Sequence, residues 1–178
     1  MSAHPPTPAH ARHLIRRAAG SLRARPLSPR EEWEVAGLLG DNLAALFWEQ
    51  PVMDQRHGID AARFVLARSP GARQEAAAAL LHDVGKRHAR LGVAGRVVAT
   101  LLAIVRLPAP GRLGVYLDHA RLGADDLEAA GAPGLLVAYT RFQDAARPST
   151  VDPATWALLK EADGERHRVD AGRQYDVG

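Results

Sequence analysis

Apolar residues recur along the chain at three- and four-residue spacing and rarely alternate, so the pattern predicts helices rather than sheet. Trp33, Ala36, Leu39, Leu43, Leu46 and Phe47 form one such stripe. It follows Ser28-Pro29-Arg30-Glu31, which combines an N-cap serine, a proline at the first helical position and a glutamate at the third. Pro51 breaks this helix, and Asp54 offers a cap for the next, which carries His57, Ala61, Phe64, Val65 and Arg68 before Ser69-Pro70-Gly71 closes it. The alanine-rich stretch from Gln74 to His88 reads as one central helix, because Ala76 to Ala79 let a neighbour approach closely. Val93 to Leu107, Leu113 to Ala120, Gly123 to Ala130 and Pro133 to Phe142 are further helical stretches punctuated by glycine or proline. Asp152-Pro153 repeats the cap-plus-proline start ahead of Trp156, Leu159 and Ala162. The expectation is an all-α fold, a compact multi-helix bundle with an N-terminal helical extension over His10 to Ala24. It divides into a basic arm at 1–27, a helical domain at 28–166 and a polar tail at 167–178.

At 178 residues the chain suits one domain with a full core. It contains no cysteine, which excludes disulfides, thiolate zinc sites, iron–sulfur clusters and a cysteine nucleophile. Any metal must sit on imidazole and carboxylate, and the composition fits a reducing compartment, so a cytoplasmic location is expected. The first 25 residues lack an apolar signal segment. The longest apolar run, Val97 to Val105, is about half the length of a membrane-spanning helix and is flanked by Arg96 and Arg106. It predicts a buried or interface helix and no membrane span. The formal charge is only +3, but no acidic residue precedes Glu31, while Arg12, Arg16, Arg17, Arg23 and Arg25 do. That front is either a solvated arm or a contact for nucleic acid or acidic lipid. Nucleic acid ranks last as a partner, because aromatic residues for base stacking are few.

The chemistry concentrates in Leu80-Leu81-His82-Asp83-Val84-Gly85-Lys86, where an imidazole and a carboxylate are adjacent on an apolar helix that loosens at a glycine. An ion held there needs further ligands from other helices. His57, in Arg56-His57-Gly58-Ile59-Asp60, precedes the pair, and Asp163, in Glu161-Ala162-Asp163, follows it. This order resembles the H…HD…D pattern of the HD-domain superfamily of metal-dependent phosphohydrolases, over roughly residues 54 to 166. The resemblance implies that His57, His82, Asp83 and Asp163 hold a divalent cation, one of Mn, Fe, Mg, Co or Ni, and leave positions open for water and a phosphate oxygen. The implied substrate is a small phosphate ester, for instance a nucleotide. Asp83 would be ligand and proton acceptor.

Each residue also has a plainer reading. His82 could be a core histidine bonded to a backbone carbonyl, Asp83 a partner for Lys86 or Arg87, and His57 a helix-surface histidine. Asp163 at a helix C-terminus opposes the macrodipole unless a cation compensates it. Lys86, on the face of His82 and Asp83, is a candidate phosphate contact or a surface salt bridge. Arg56 is a weaker phosphate candidate and more simply a solvated arginine. His119, in Asp118-His119-Ala120-Arg121-Leu122-Gly123-Ala124, resembles the additional histidine of binuclear family members, although the adjacent His-His pair of such members is replaced by Tyr139-Thr140-Arg141-Phe142-Gln143-Asp144. The expectation is therefore one ion, with His119 as substrate contact or proton donor and Asp144 a speculative substitute ligand. The rival of a different class is a regulator that binds a nucleotide at the same site without turnover.

Overall fold

The structure, a computed structural model, describes residues 24–164. The expected helix over 10–24, most of the basic arm and the polar tail lie outside the described residues. Among the described residues all regular structure is helical: α1 (Pro29–Leu38), α2 (Asp41–Trp48), α3 (Val52–Arg68), α4 (Arg73–Leu81), α5 (Lys86–Ala89), α6 (Val93–Ile104), α7 (Arg112–Leu117), α8 (His119–Ala129), α9 (Gly134–Phe142) and α10 (Pro153–Gly164).

Two helix starts form as the local sequence dictates. The Glu31 carboxylate accepts hydrogen bonds from the Ser28 backbone N–H at 2.8 Å and the Ser28 hydroxyl at 3.0 Å, the return half of a capping box. Asp152 Oδ1 accepts from the N–H groups of Ala154 and Thr155, each at 2.9 Å, at the head of α10.

The predicted helix through Phe47 is instead two helices. Leu39 and Gly40 turn extended between α1 and α2, and the buried face is Val35, Leu39 and Phe47. Trp33 is 79 % exposed and Ala36 also faces solvent. Asp54 does not cap α3. It lies inside the first turn, buried, and receives both terminal nitrogens of Arg96 at 2.6 Å.

The alanine-rich helix is central, as its composition predicts. Ala76, Ala77, Ala78, Ala79, Leu80 and Leu81 are all buried, and α4 packs against α1, α2, α3, α9 and α10. Small side chains let these axes approach. At Gly58 on α3 the approach is so close that a Cβ would lie 2.7 Å from the Leu80 carbonyl oxygen. The residue beside it, His57, is thereby carried up against the end of α4.

The predicted continuation to His88 is broken. Residues 82–85 form turns, with Val84 N–H donating to Leu81 O and Lys86 N–H to Asp83 O, each at 3.0 Å, before α5 begins. The reason is tertiary: Gly85 is pressed onto α8, where a Cβ would sit 2.0 Å from the His119 carbonyl oxygen and 2.5 Å from the Gly123 nitrogen.

The apolar helix α6 is not buried. Of its residues only Ala99 is buried, and the helix rests mainly on α7. It ends in a Schellman arrangement, with Leu107 N–H on Leu102 O at 2.9 Å and Arg106 N–H on Ala103 O at 3.1 Å. Arg106 takes the left-handed position (φ 56°) that glycine usually fills. No helix among the described residues is long and apolar enough to cross a membrane.

Candidate metal centre

Helix α3 supplies His57, the turn after α4 supplies His82 and Asp83, and the last described turn of α10 supplies Asp163. These side chains meet. Ligand atoms of His57, His82 and Asp83, all buried, lie within 4.8 Å of one another. His57 Nε2 is 3.1 Å from Asp163 Oδ1, and His82 Nε2 is 3.4 Å from Asp163 Oδ1 and 3.5 Å from Asp83 Oδ2. Ligands about 2.1 Å from a common ion stand roughly 3.0–3.4 Å apart in octahedral or tetrahedral geometry; His57, His82 and Asp83 form a group that could hold a metal ion, and Asp163 stands against the two imidazoles outside that three-residue group.

The tautomer of His82 strengthens that fit. Its Nδ1 is 2.9 Å from the Ala79 carbonyl oxygen, which can only accept, so Nδ1 carries the proton. In the neutral ring the lone pair then belongs to Nε2, which is buried and has no hydrogen-bond partner. Fixing one imidazole nitrogen on a backbone carbonyl to aim the other is how histidine ligands are oriented. The core-histidine reading and the ligand reading of His82 are thus both partly met: Nδ1 is satisfied and Nε2 is not.

Charge in the site is arranged around the two carboxylates. Burial disfavours charge on His82, but Asp83 and Asp163 outweigh it and push the imidazole up to about 9, so any cation taken up at Nε2 would have to displace a proton. Burial lowers His57, against the hydrogen bond that its ring makes to the Asp163 carboxylate. Burial opposes ionisation of Asp83 and Asp163 as well, yet the surrounding cationic and donor groups hold both far below the usual carboxylate range.

Lys86 is not a free surface cation. It is buried, with Nζ 2.5 Å from Asp83 Oδ2. Burial works against its charge, but Asp83 overcomes this and raises the ammonium above its ordinary value. Arg56 is not at the site. It bonds Glu31 Oε1 and the carbonyl oxygens of Arg25 and Pro26, across from α1. Arg87 likewise turns away, to Glu49 and Asp126.

His119 opens α8 beside this cluster. Its Nδ1 is held by the Tyr116 carbonyl oxygen at 2.8 Å, and its ring stacks on Tyr116 with centroids 5.7 Å apart. Nε2 points between Asp83 Oδ1 and Asp144 Oδ2, each 3.8 Å away. The floor is buried, whereas the Asp163 side chain is 31 % exposed and that of Asp144 70 % exposed, so the site opens between them.

Supporting residues appear that the sequence pattern does not single out. Gln143 Nε2 donates to the His82 carbonyl at 2.7 Å, and Lys160 Nζ donates to Gln143 O at 2.9 Å while lying 3.7 Å from Asp163 Oδ2. The buried Tyr139 hydroxyl donates to Leu159 O at 2.9 Å, one turn ahead of Asp163. Their only signal in the sequence is proximity to Asp144 and Asp163.

Comparison with family models, with curated proteins and with solved structures gives no match.

Proposed function

We propose that this chain is a metal-dependent phosphohydrolase of HD-domain type, acting on a small phosphate ester such as a nucleotide. The observation that carries the reading is the convergence of His57, His82 and Asp83, with Asp163 beside both imidazoles, around a buried imidazole nitrogen without a hydrogen-bond partner. His57 and His82 would hold the cation through Nε2, and Asp83 and Asp163 through carboxylate oxygens. Two neutral nitrogens and two anionic oxygens suit Mn, Fe, Mg, Co or Ni. When bound, such a cation supplies Lewis acidity toward a phosphoryl oxygen and toward water.

The protein groups around it divide the remaining work. The Ala79 carbonyl fixes the tautomer of His82, and Gln143 fixes its backbone. Lys86 orients Asp83 and keeps it ionised, which makes Lys86 a positioning residue rather than a direct phosphate contact. His119 presents Nε2 at the mouth of the site, within reach of a bound phosphate ester, where it would donate a proton to the departing oxygen. Its imidazole is lowered, by burial first and by the Lys86 charge second, so the protonated, donating form would be lost on the acid side of neutrality and turnover that depends on it would rise as pH falls below the ordinary histidine range.

A second reading, a regulator that binds nucleotide without turnover, draws support from Lys86, whose ammonium is committed to Asp83 instead of facing a phosphate. Inorganic phosphate release from a panel of nucleotides and phosphate monoesters, with Mn²⁺ and with chelator, separates the two. Metal-dependent release that Asp83→Asn abolishes is the expected result. Nucleotide binding with no release from any member of the panel would establish the regulator instead.

A further inference from the structure

The surface of α6 has no role in the metal site, and its chemistry is unusual for a solvent-facing helix. Ala94, Val98, Leu101 and Val105 follow at four-, three- and four-residue spacing and all face solvent, with Ile104 and Leu107 beside them. Val105 and Leu107 are 56 % and 57 % exposed. Exposed apolar residues scattered singly need no explanation, but a contiguous aliphatic stripe does.

The charge around it has one sign. Between Asp83 and Asp118 the chain contains no carboxylate, but it does contain Lys86, Arg87, Arg90, Arg96, Arg106 and Arg112. Lys86, Arg87 and Arg96 are neutralised by Asp83, by Glu49 and Asp126, and by Asp54. Arg90 and Arg106 are exposed and have no ion-pair partner among the described residues. They bracket the helix, three residues before its start and two after its end. Among the described residues they are also the non-glycine residues with positive φ, at 48° and 56°. Both are left-handed helix-end positions that glycine fills most easily, so the backbone at each accepts arginine at a small conformational cost.

We propose that the exposed face of α6, with Arg90 and Arg106 at its ends, docks on an anionic phospholipid surface. An apolar helical stripe lying in the headgroup boundary with cations at its edge is the arrangement that interfacial helices use. A second copy of the chain would bring no carboxylate from this segment to meet the arginines. Nucleic acid would find aliphatic side chains where it needs donors or aromatic faces. The inference is independent of the metal site and of its chemistry.

The test is co-sedimentation of the full chain with vesicles of phosphatidylcholine, with and without phosphatidylglycerol. Binding is expected only when phosphatidylglycerol is present, and it should weaken with added salt. Arg90→Gly and Arg106→Gly should each lower partitioning about fivefold, while the melting temperature holds or rises because glycine suits both φ values. Leu101→Asp should abolish binding without loss of helical content. Absence of binding, equal binding to neutral vesicles, or a concentration-dependent dimer that Leu101→Asp dissociates would each overturn the proposal.

Discussion

Gly85→Ala tests whether the break after α4 arises from close approach to α8. A methyl group at Gly85 would lie 2.0 Å from the His119 carbonyl oxygen and 2.5 Å from the Gly123 nitrogen. An ordinary C···O contact is about 3.3 Å, so the two backbones must separate by roughly 1.3 Å. Neither obstacle can rotate away, because both are main chain. Overpacking of this kind costs about 1–3 kcal/mol, and here the upper end applies. For a domain of this size about 3 kcal/mol lowers the melting temperature by roughly 6–12 °C. The same displacement carries His119 away from Asp83, so turnover should fall further than stability explains. Gly37→Ala is the control, since it lies in α1 and a Cβ there meets nothing within 4 Å, and it should stabilise the chain by up to about 1 kcal/mol. Thermal unfolding of the three proteins decides the matter. A Gly85→Ala chain that melts with the wild type would refute the packing argument.

The remaining predictions concern charge and protonation. Glu31, beside Arg56 and Arg63, is held at about 2 instead of 4.5, first by the Arg56 hydrogen bond against the cost of burial. Because its folded value is depressed, its contribution is complete above pH 4.5 and is lost as pH falls toward 2. The full difference corresponds to about 3 kcal/mol, which solvent screening near the surface reduces to about 1–2 kcal/mol. Glu31→Gln should therefore lower stability at pH 7 and flatten its decline in acid, as read from urea titrations across pH. Lys86→Ala should destabilise the chain by about 3 kcal/mol by leaving Asp83 buried without its cation, and added Mn²⁺ should restore part of the loss. Restoration by neither Mn²⁺ nor Mg²⁺ would separate Asp83 from metal binding. His119→Ala should lower turnover and shift its pH dependence while metal content stays at one ion per chain. Two ions in the wild type and one in the variant would place His119 among the ligands.

What was legible in the sequence is what local chemistry decides. Ser28 and Glu31 cap α1 within one turn, Asp152 caps α10 across two residues, and the alanine run declares α4 central because only small side chains permit such close axes. His57, His82, Asp83 and Asp163 are named through a resemblance to the HD-domain pattern, and of these the structure gathers His57, His82 and Asp83 into one group with Asp163 beside the two imidazoles. The features that escaped depend on partners distant in the chain. Asp54 reads as a cap because its partner Arg96 is on another helix, and Arg56 reads as solvated or phosphate-binding because Glu31 lies 25 positions away. The break after Leu81 looks helical by propensity and yields to the contact of Gly85 with α8. Lys86 shares a face with Asp83 in either reading, but only the packing of α5 against α7 and α8 buries it. The spacing puts Trp33 on the apolar stripe, but the break at Leu39 and Gly40 resets the register and Val35 points inward instead.

The central claim is that His57, His82, Asp83 and Asp163 form one metal site, and direct metal analysis after equilibration with Mn²⁺ and removal of excess ion tests it. One ion per wild-type chain and none in the His82→Ala/Asp83→Asn double variant are expected, with helical circular dichroism retained in both. A wild type that holds no divalent ion, or a double variant that holds a full equivalent, would contradict it.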